Sequence, residues 1–381
     1  MNISRRHFFL GSFALPLFAA KPLGEQPNVL LILVEGLPAW ILGCYGNTEV
    51  RTPLIDRLAK TGTRFLNHYA SAPVSEQARA GLLTGRTPMQ NKGAGEATLS
   101  KLLGGIGYAC GATTGSAEAA KFLDAQSSAK PFLLTATFTP YDSLPDAGAY
   151  SQAVLDTFAR EAPARNAARG KEMLGANLLA NLRRVAAATT ALDTEIGALV
   201  AKVTQKNLVD NTLIIFTSPT GSLFGRHGLW AAGDASDPAN MYEEVVATPM
   251  VWSWRGHVVP LATRPEMVSA LDLVPTICDI TPAPLPERLS GRSYLAIASG
   301  KPLPKKEPWR TTVFAQYADT AMARSDRYKL VVRNDGKGAG EIYDDRVDPR
   351  EKVNQYDNPQ FMTVKAALSA DLAKWKKAYS A

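Results

Sequence analysis

The residues best suited to chemistry lie between Arg64 and Arg86, in R-F-L-N-H-Y-A-S-A-P-V-S-E-Q-A-R-A-G-L-L-T-G-R. The pattern predicts a short helix that begins at Ser75. A hydroxyl there faces the unpaired N–H groups of a first helical turn, where anionic esters are readily held. Arg79, four residues on, falls one turn along the same helix face. A nucleophile, a helix end that favours anions and a guanidinium fork together suit a sulfate or phosphate ester. Read blandly, Ser75 is a helix cap and Arg79 a surface residue. His68 is most simply a partly buried residue at the end of its strand, and His257 a surface residue. The thiols Cys44, Cys110 and Cys278 lack metal-type spacing, and an exported chain could pair two of them.

Strands alternating with helices must position this stretch. Asn28–Val34 is a nearly continuous apolar run, as in a parallel strand buried on both faces, and Glu35-Gly36 follows at its C-terminal end. A helix opens at Thr52-Pro53 and runs to Lys60, and strand 63–68 follows. Further helices are expected at 97–103 and 268–280, and further strands at 108–114, 132–138, 212–217 and 249–253. Apolar residues from Leu174 through Leu192 to Val203 mark a long amphipathic helix. Residues 141–170 read as an excursion. The alternation predicts a doubly wound, mostly parallel α/β fold. Three prolines within 281–287 mark a linker. Short strands at 312–317, 321–324, 327–332 and 341–343, with a helix at 361–379, predict a small antiparallel subdomain. The expected division is an α/β unit over 26–285 and a C-terminal α+β unit over 286–381.

The composition is that of an ordinary globular protein, with a net charge of +7, or +5 once Arg5 and Arg6 are set aside. This dispersed excess suits an anionic ligand and does not indicate nucleic acid. Residues 1–20 carry adjacent arginines ahead of a 13-residue, mostly apolar run from Phe8 to Ala20, too short to span a bilayer comfortably. S-R-R-H-F-F-L resembles a bacterial twin-arginine export signal, which implies a periplasmic or extracellular protein with no membrane span after signal removal.

Several stretches, in order, resemble the sulfatase family of the alkaline phosphatase superfamily. They include P-N-V-L-L-I-L-V-E-G-L (27–37), R-A-G-L-L-T-G-R (79–86), A-L-D-T-E-I-G (191–197), D-N-T-L-I-I-F-T-S (210–218), G-R-H-G-L-W (225–230), D-L-V-P-T-I (272–277) and S-D-R-Y-K-L (325–330). The resemblance implies a formylglycine nucleophile made from Cys or Ser in C/S-x-P-S-R. It also implies a calcium ion held by an Asp-Asp pair and by Asp-His or Asp-Asn. Lys and His side chains then bind sulfate and protonate the leaving oxygen.

This sequence departs from that pattern at most of those positions. Glu35-Gly36 stands for the Asp-Asp pair, and Pro219-Thr220 for the second pair. Tyr141 replaces a histidine and Ala232 a lysine, while Thr114-Gly115-Ser116 runs straight into a helix where another lysine is expected. Ser75 stands at the nucleophile position, but Gln77 and Ala78 replace the Pro and Ser that direct its oxidation. Arg79 and His227 are kept. The expectation is therefore a degenerate sulfatase homologue that binds a sulfated or phosphorylated small molecule or glycan, with no confident cofactor. The alternative is a divergent ester hydrolase using Ser75 and Glu35, to which Asp142 lends a carboxylate.

Overall fold

The computed structural model describes residues 26–91, 97–153, 155, 170–304 and 306–380. The export signal expected over 1–20, and residues 154 and 156–169 of the excursion expected over 141–170, lie outside the described residues.

Strand β1 (Asn28–Val34) is buried along its whole length, because its alternate residues feed two different cores. Leu30, Ile32 and Val34 pack on one face of the sheet, and Val29, Leu31 and Leu33 on the other. Proline starts helix α1 (Pro53–Lys60), where its missing N–H costs nothing. Strand β2 (Thr63–Tyr69) leads through a loop to α2 (Ser75–Thr84), which ends at Gly85 in a left-handed conformation. Helix α3 (Leu99–Gly105) starts two residues later than the sequence suggests, because the Thr98 side chain caps it by accepting from Lys101 N. Then come β3 (Ala109–Thr114), α4 (Gly115–Asp124) and β4 (Phe132–Phe138). The long helix α5 (Leu178–Gln205) excludes Leu174, which sits buried between two short 3-10 turns. Strand β5 (Thr212–Thr217), the single-turn α6 (Glu243–Val246) and β6 (Met250–Ser253) follow.

The helix expected over 268–280 needs correction. Val268 and Ser269 finish a strand, β7 (Ala262–Ser269), and α7 (Leu273–Ile280) begins only after a 3-10 turn at Ala270–Asp272. Arg264, Pro265 and Glu266 hide this strand from a pattern search. Pro265 is tolerated because β7 is the sheet's edge, and the β2–β7 register shifts beside it, between Phe65 and Asn67.

These seven strands form one sheet in the order β3-β4-β1-β5-β6-β2-β7, parallel except for β6. After the short α8 (Leu295–Ala298), strands β8 (Thr312–Tyr317), β9 (Thr320–Ser325), β10 (Tyr328–Arg333) and β11 (Glu341–Asp344) make an antiparallel sheet. Helix α9 (Met362–Tyr379) covers it with Leu368, Leu372 and Trp375. Among the described residues no helix is long and apolar enough to cross a membrane.

Candidate active site

The C-terminal ends of β1, β4 and β5 and the start of α2 converge, as ligand sites do in open α/β sheets. Ser75 opens α2, and its Oγ lies 2.7 Å from Thr220 Oγ1, in the turn after β5. Arg79 Nη1 donates to Glu35 Oε1 at 3.0 Å. Two sites read separately from the sequence, the helix start and the turn after β1, are thus one cluster.

Glu35 is held by opposing effects. Burial raises its carboxyl pKa above the ordinary value, Arg79 and a hydrogen bond from Ser75 pull it down, and the Asp142 charge pushes it up again. The net shift is upward. Asp142 itself is exposed at a turn, its N–H donating to Thr139 O. The Arg79 side chain is 43% exposed and that of Glu35 15%. Because Arg79 is well solvated, replacing it with alanine is expected to cost only about 1 kcal/mol in a denaturant titration. A loss above ~3 kcal/mol would mean that the pair is more deeply desolvated than its exposure indicates.

Gly36 has φ +71°, and a Cβ there would come within 2.9 Å of Ser222 Oγ. The turn after β1 therefore sits against the Ser218–Ser222 loop, and a side chain at 36 would have to displace the Ser222 hydroxyl while holding a backbone conformation that L residues rarely adopt. Ser218 Oγ ties this loop down by donating to Val34 O, and Leu37 N donates back to Ser218 Oγ. Neither Ser218 nor Ser222 stands out in the sequence, since only the fold brings residues about 180 apart into contact.

Tyr141 is not free for acid chemistry. Its hydroxyl bonds Thr189 Oγ1 at 3.0 Å, and its ring packs edge-on to Phe224 at 4.9 Å. Trp40 and Trp230 pack edge-on to the same Phe224, so an aromatic cluster fills this end of the sheet. His227, also left-handed at φ +55°, stacks on Tyr242 with centroids 3.6 Å apart. Its Nε2 lies 3.2 Å from Glu244 Oε2, and Arg226 bonds the other oxygen of that carboxylate. Burial alone would raise Glu244, but the hydrogen bond and charge of His227 and the charge of Arg226 outweigh it and hold its pKa below the ordinary value. This geometry fixes the 225–230 loop.

His68 is fully buried, not partly as expected, with Nδ1 2.8 Å from Thr248 Oγ1; burial lowers its pKa to about 3 and keeps it neutral. His257 is half-buried in a stack on Trp254 rather than a surface residue. Cys44, Cys110 and Cys278 are all free thiols, so the pairing that export would permit is not present. Beside the cluster, a cleft of about 410 Å³ is lined in part by Thr114, Thr139, Asp142 and Glu195. Among the described residues no basic side chain lines it, and Arg79 is the guanidinium recorded in the Ser75–Glu35 cluster that can face an anion.

A calcium ion needs about six to eight oxygen ligands, mostly carboxylate. Gly36 and Pro219 have no side-chain oxygen, Thr220 is bonded to Ser75, and Glu35 is bonded to Arg79. These residues do not fit the ion.

The Sulfatase family matches residues 27–118 and 116–283, and the family described as N-sulphoglucosamine sulphohydrolase, C-terminal, matches 233–378. Human arylsulfatase A is 28% identical over 367 residues, spanning 76% of this chain and 71% of the relative. The ulvan-active sulfatase of Formosa agariphila is 23% identical over 433 residues, spanning 94% and 82%. Rat steryl-sulfatase is 41% identical, but over only 25% of this chain and 20% of its own.

Among solved structures, a putative sulfatase of Bacteroides fragilis superposes with TM-score 0.80 at 21% identity, covering 93% of this chain and 96% of that one. The phosphonate monoester hydrolase of Agrobacterium radiobacter gives 0.77 at 18% with the same coverage. A protein solved with its substrate D-glucosamine-2-N,6-O-disulfate gives 0.79 at 19%, covering 93% and 98%. At these identities the superpositions speak for the fold alone. Taken with the family matches along most of its length, they make this chain a member of the sulfatase family of the alkaline phosphatase superfamily.

Proposed function

We propose that this protein is a sulfatase homologue that has lost formylglycine- and calcium-dependent ester hydrolysis and uses the remaining site to hold an anionic, sulfated or phosphorylated ligand. One observation carries the reading. The places where family members typically hold calcium offer one carboxylate, and Arg79 already neutralises it. Ser75 keeps its place without the cation that would activate it, and an ordinary hydroxyl is a poor nucleophile at neutral pH. Arg79 is half-exposed one turn into the helix that Ser75 opens, where an anion could exchange with Glu35. His227 is assigned to the wall of the ligand site, its ring fixed by Glu244. The twin-arginine pattern supports export to the periplasm or beyond, and the proline-rich 281–287 segment supports a division between units 26–285 and 286–381.

Three measurements test this. Mass spectrometry of the peptide spanning Ser75 should find unmodified serine. Calcium should leave the melting temperature unchanged, whereas a site filled at 100 times its Kd would add about 2.7 kcal/mol. Sulfated glycan binding should weaken with salt and with Arg79→Ala. Stoichiometric calcium with aryl sulfate turnover that Ser75→Ala abolishes would sink the proposal.

A second reading rests on Ser75 standing in the same cluster as Glu35, close enough to act on its carboxylate. A carboxylate raised by burial is suited to take a serine proton, which would make Ser75 the nucleophile of a metal-free hydrolase of sulfate or phosphate esters. Its signature is turnover that persists in chelator and is lost in both Ser75→Ala and Glu35→Gln.

A further inference from the structure

The opposite rim of the sheet holds a cleft of about 420 Å³, within the size range of small-molecule sites. It lies where α1 and the C-terminal half of α5 meet the start of β5 and the end of β6, whose Ser253 pairs with Ile214. Because β1 and β5 run parallel, this is the amino-terminal edge of the sheet, with the Ser75–Glu35 cluster at the other end. The two sites are independent.

The walls are apolar: Leu54, Leu58, Ile196, Val200, Val209 and Ile214. Leu54 remains 38% exposed although it lies flat on α5. Gly197 permits that approach, since a Cβ there would stand 2.2 Å from Leu54 Cδ1. Among the described residues, the charged side chains of the lining are Arg57 and Arg255, and no carboxylate joins them. Asp210 pairs with Arg255 at 3.4 Å from outside the lining, and both side chains are more than 60% exposed. Such a solvated contact is weak and readily exchanged for another anion. An apolar trough with two guanidiniums and no acid has the chemistry of a ligand with an apolar tail and one negative head.

We propose that this cleft binds a single-chain amphiphilic anion, its tail along Leu54, Leu58 and Val200 and its head between Arg57 and Arg255. A free medium- or long-chain carboxylate is the occupant this geometry fits. A cationic amphiphile would meet two like charges, and a neutral one would engage neither guanidinium.

The test uses the mature chain and dodecanoate, kept below its micelle concentration, in isothermal titration. Dodecyltrimethylammonium serves as the charge-reversed control. Wild-type protein should bind one dodecanoate per chain with micromolar affinity and should not bind the cation. The double substitution Arg57→Gln with Arg255→Gln should weaken binding at least tenfold. Ala201→Trp should abolish it, because Ala201 is an exposed helix position on the cleft wall where an indole can cover the trough without disturbing the core. Circular dichroism confirms that both variants fold. Equal affinity for anion and cation, no dodecanoate binding, or binding that survives Ala201→Trp would each overturn the assignment. So would a ligand-free dimer in light scattering that Ala201→Trp dissociates, since the occupant would then be a second copy of the chain.

Discussion

Lys329→Met is expected to destabilise the protein by about 3–5 kcal/mol, the usual cost of removing one partner from a buried ion pair. Lys329 is only 1% exposed, although it comes from β10 of the small sheet. Its Nζ donates to Met241 O at 2.7 Å and to Glu243 Oε2 at 3.3 Å, and it pairs with Glu351. Glu243 keeps a second cation in Arg324 and a hydroxyl in Tyr69. Among the described residues Glu351 has no second cation, and its other partner is the backbone N–H of Glu243, which donates to its Oε2 at 2.8 Å. Glu351 is 3% exposed and sits at φ +51°, and burial pushes its carboxyl pKa upward against the pull of the ammonium beside it. Without Lys329 it must bury an unpaired carboxylate or take up a proton. Denaturant titration should show a lower midpoint at unchanged slope. The double variant Lys329→Met with Glu351→Leu should recover most of the loss, because an apolar pair of similar volume carries no desolvation cost. A double variant no better than the single one would refute the unpaired-charge explanation.

Asp272→Asn is expected to cost about 3 kcal/mol. The carboxylate is fully buried between β7 and α7 and accepts four hydrogen bonds. Arg310 supplies two, at 2.6 and 2.7 Å, and the Ser269 and Arg292 backbone amides supply one each at 2.8 Å. Asparagine replaces one acceptor with an NH₂ group, so two donors would face each other in a dry site. The segments that carry Arg292 and Arg310 should then loosen from the main sheet. Hydrogen exchange reads this directly: the amides of Ser269 and Arg292 should lose protection well beyond the global change. Uniform loss across the chain would indicate simple destabilisation instead.

Asp272 lies in D-L-V-P-T-I and Lys329 in S-D-R-Y-K-L, stretches that the sequence made visible, but nothing in the sequence pairs them with Arg310 and Glu351. Composition and periodicity are local properties, so the long apolar runs at 28–34, 132–138 and 212–217 announce buried parallel strands without help from the fold. Strand β7 escaped because an edge strand buries little and tolerates Pro265, Arg264 and Glu266, all of which read as loop. The second core cluster, around Trp252, Tyr294 and Phe65, likewise joins residues that no window spans.

The sequence by itself determined the doubly wound scaffold and the placement of Ser75 and Arg79 one turn apart on a helix. It also determined the absence of side-chain oxygens at Gly36 and Pro219. Only the tertiary structure decided what those residues do to one another. It spends Arg79 on Glu35, sets Gly36 against Ser222, gives Ser75 a partner in Thr220 and turns Tyr141 into an aromatic core. The reason is physical: residue type sets which charges and hydroxyls exist, but burial and distance set their strength. Those are settled only when strands far apart in the chain bring their C-terminal ends together.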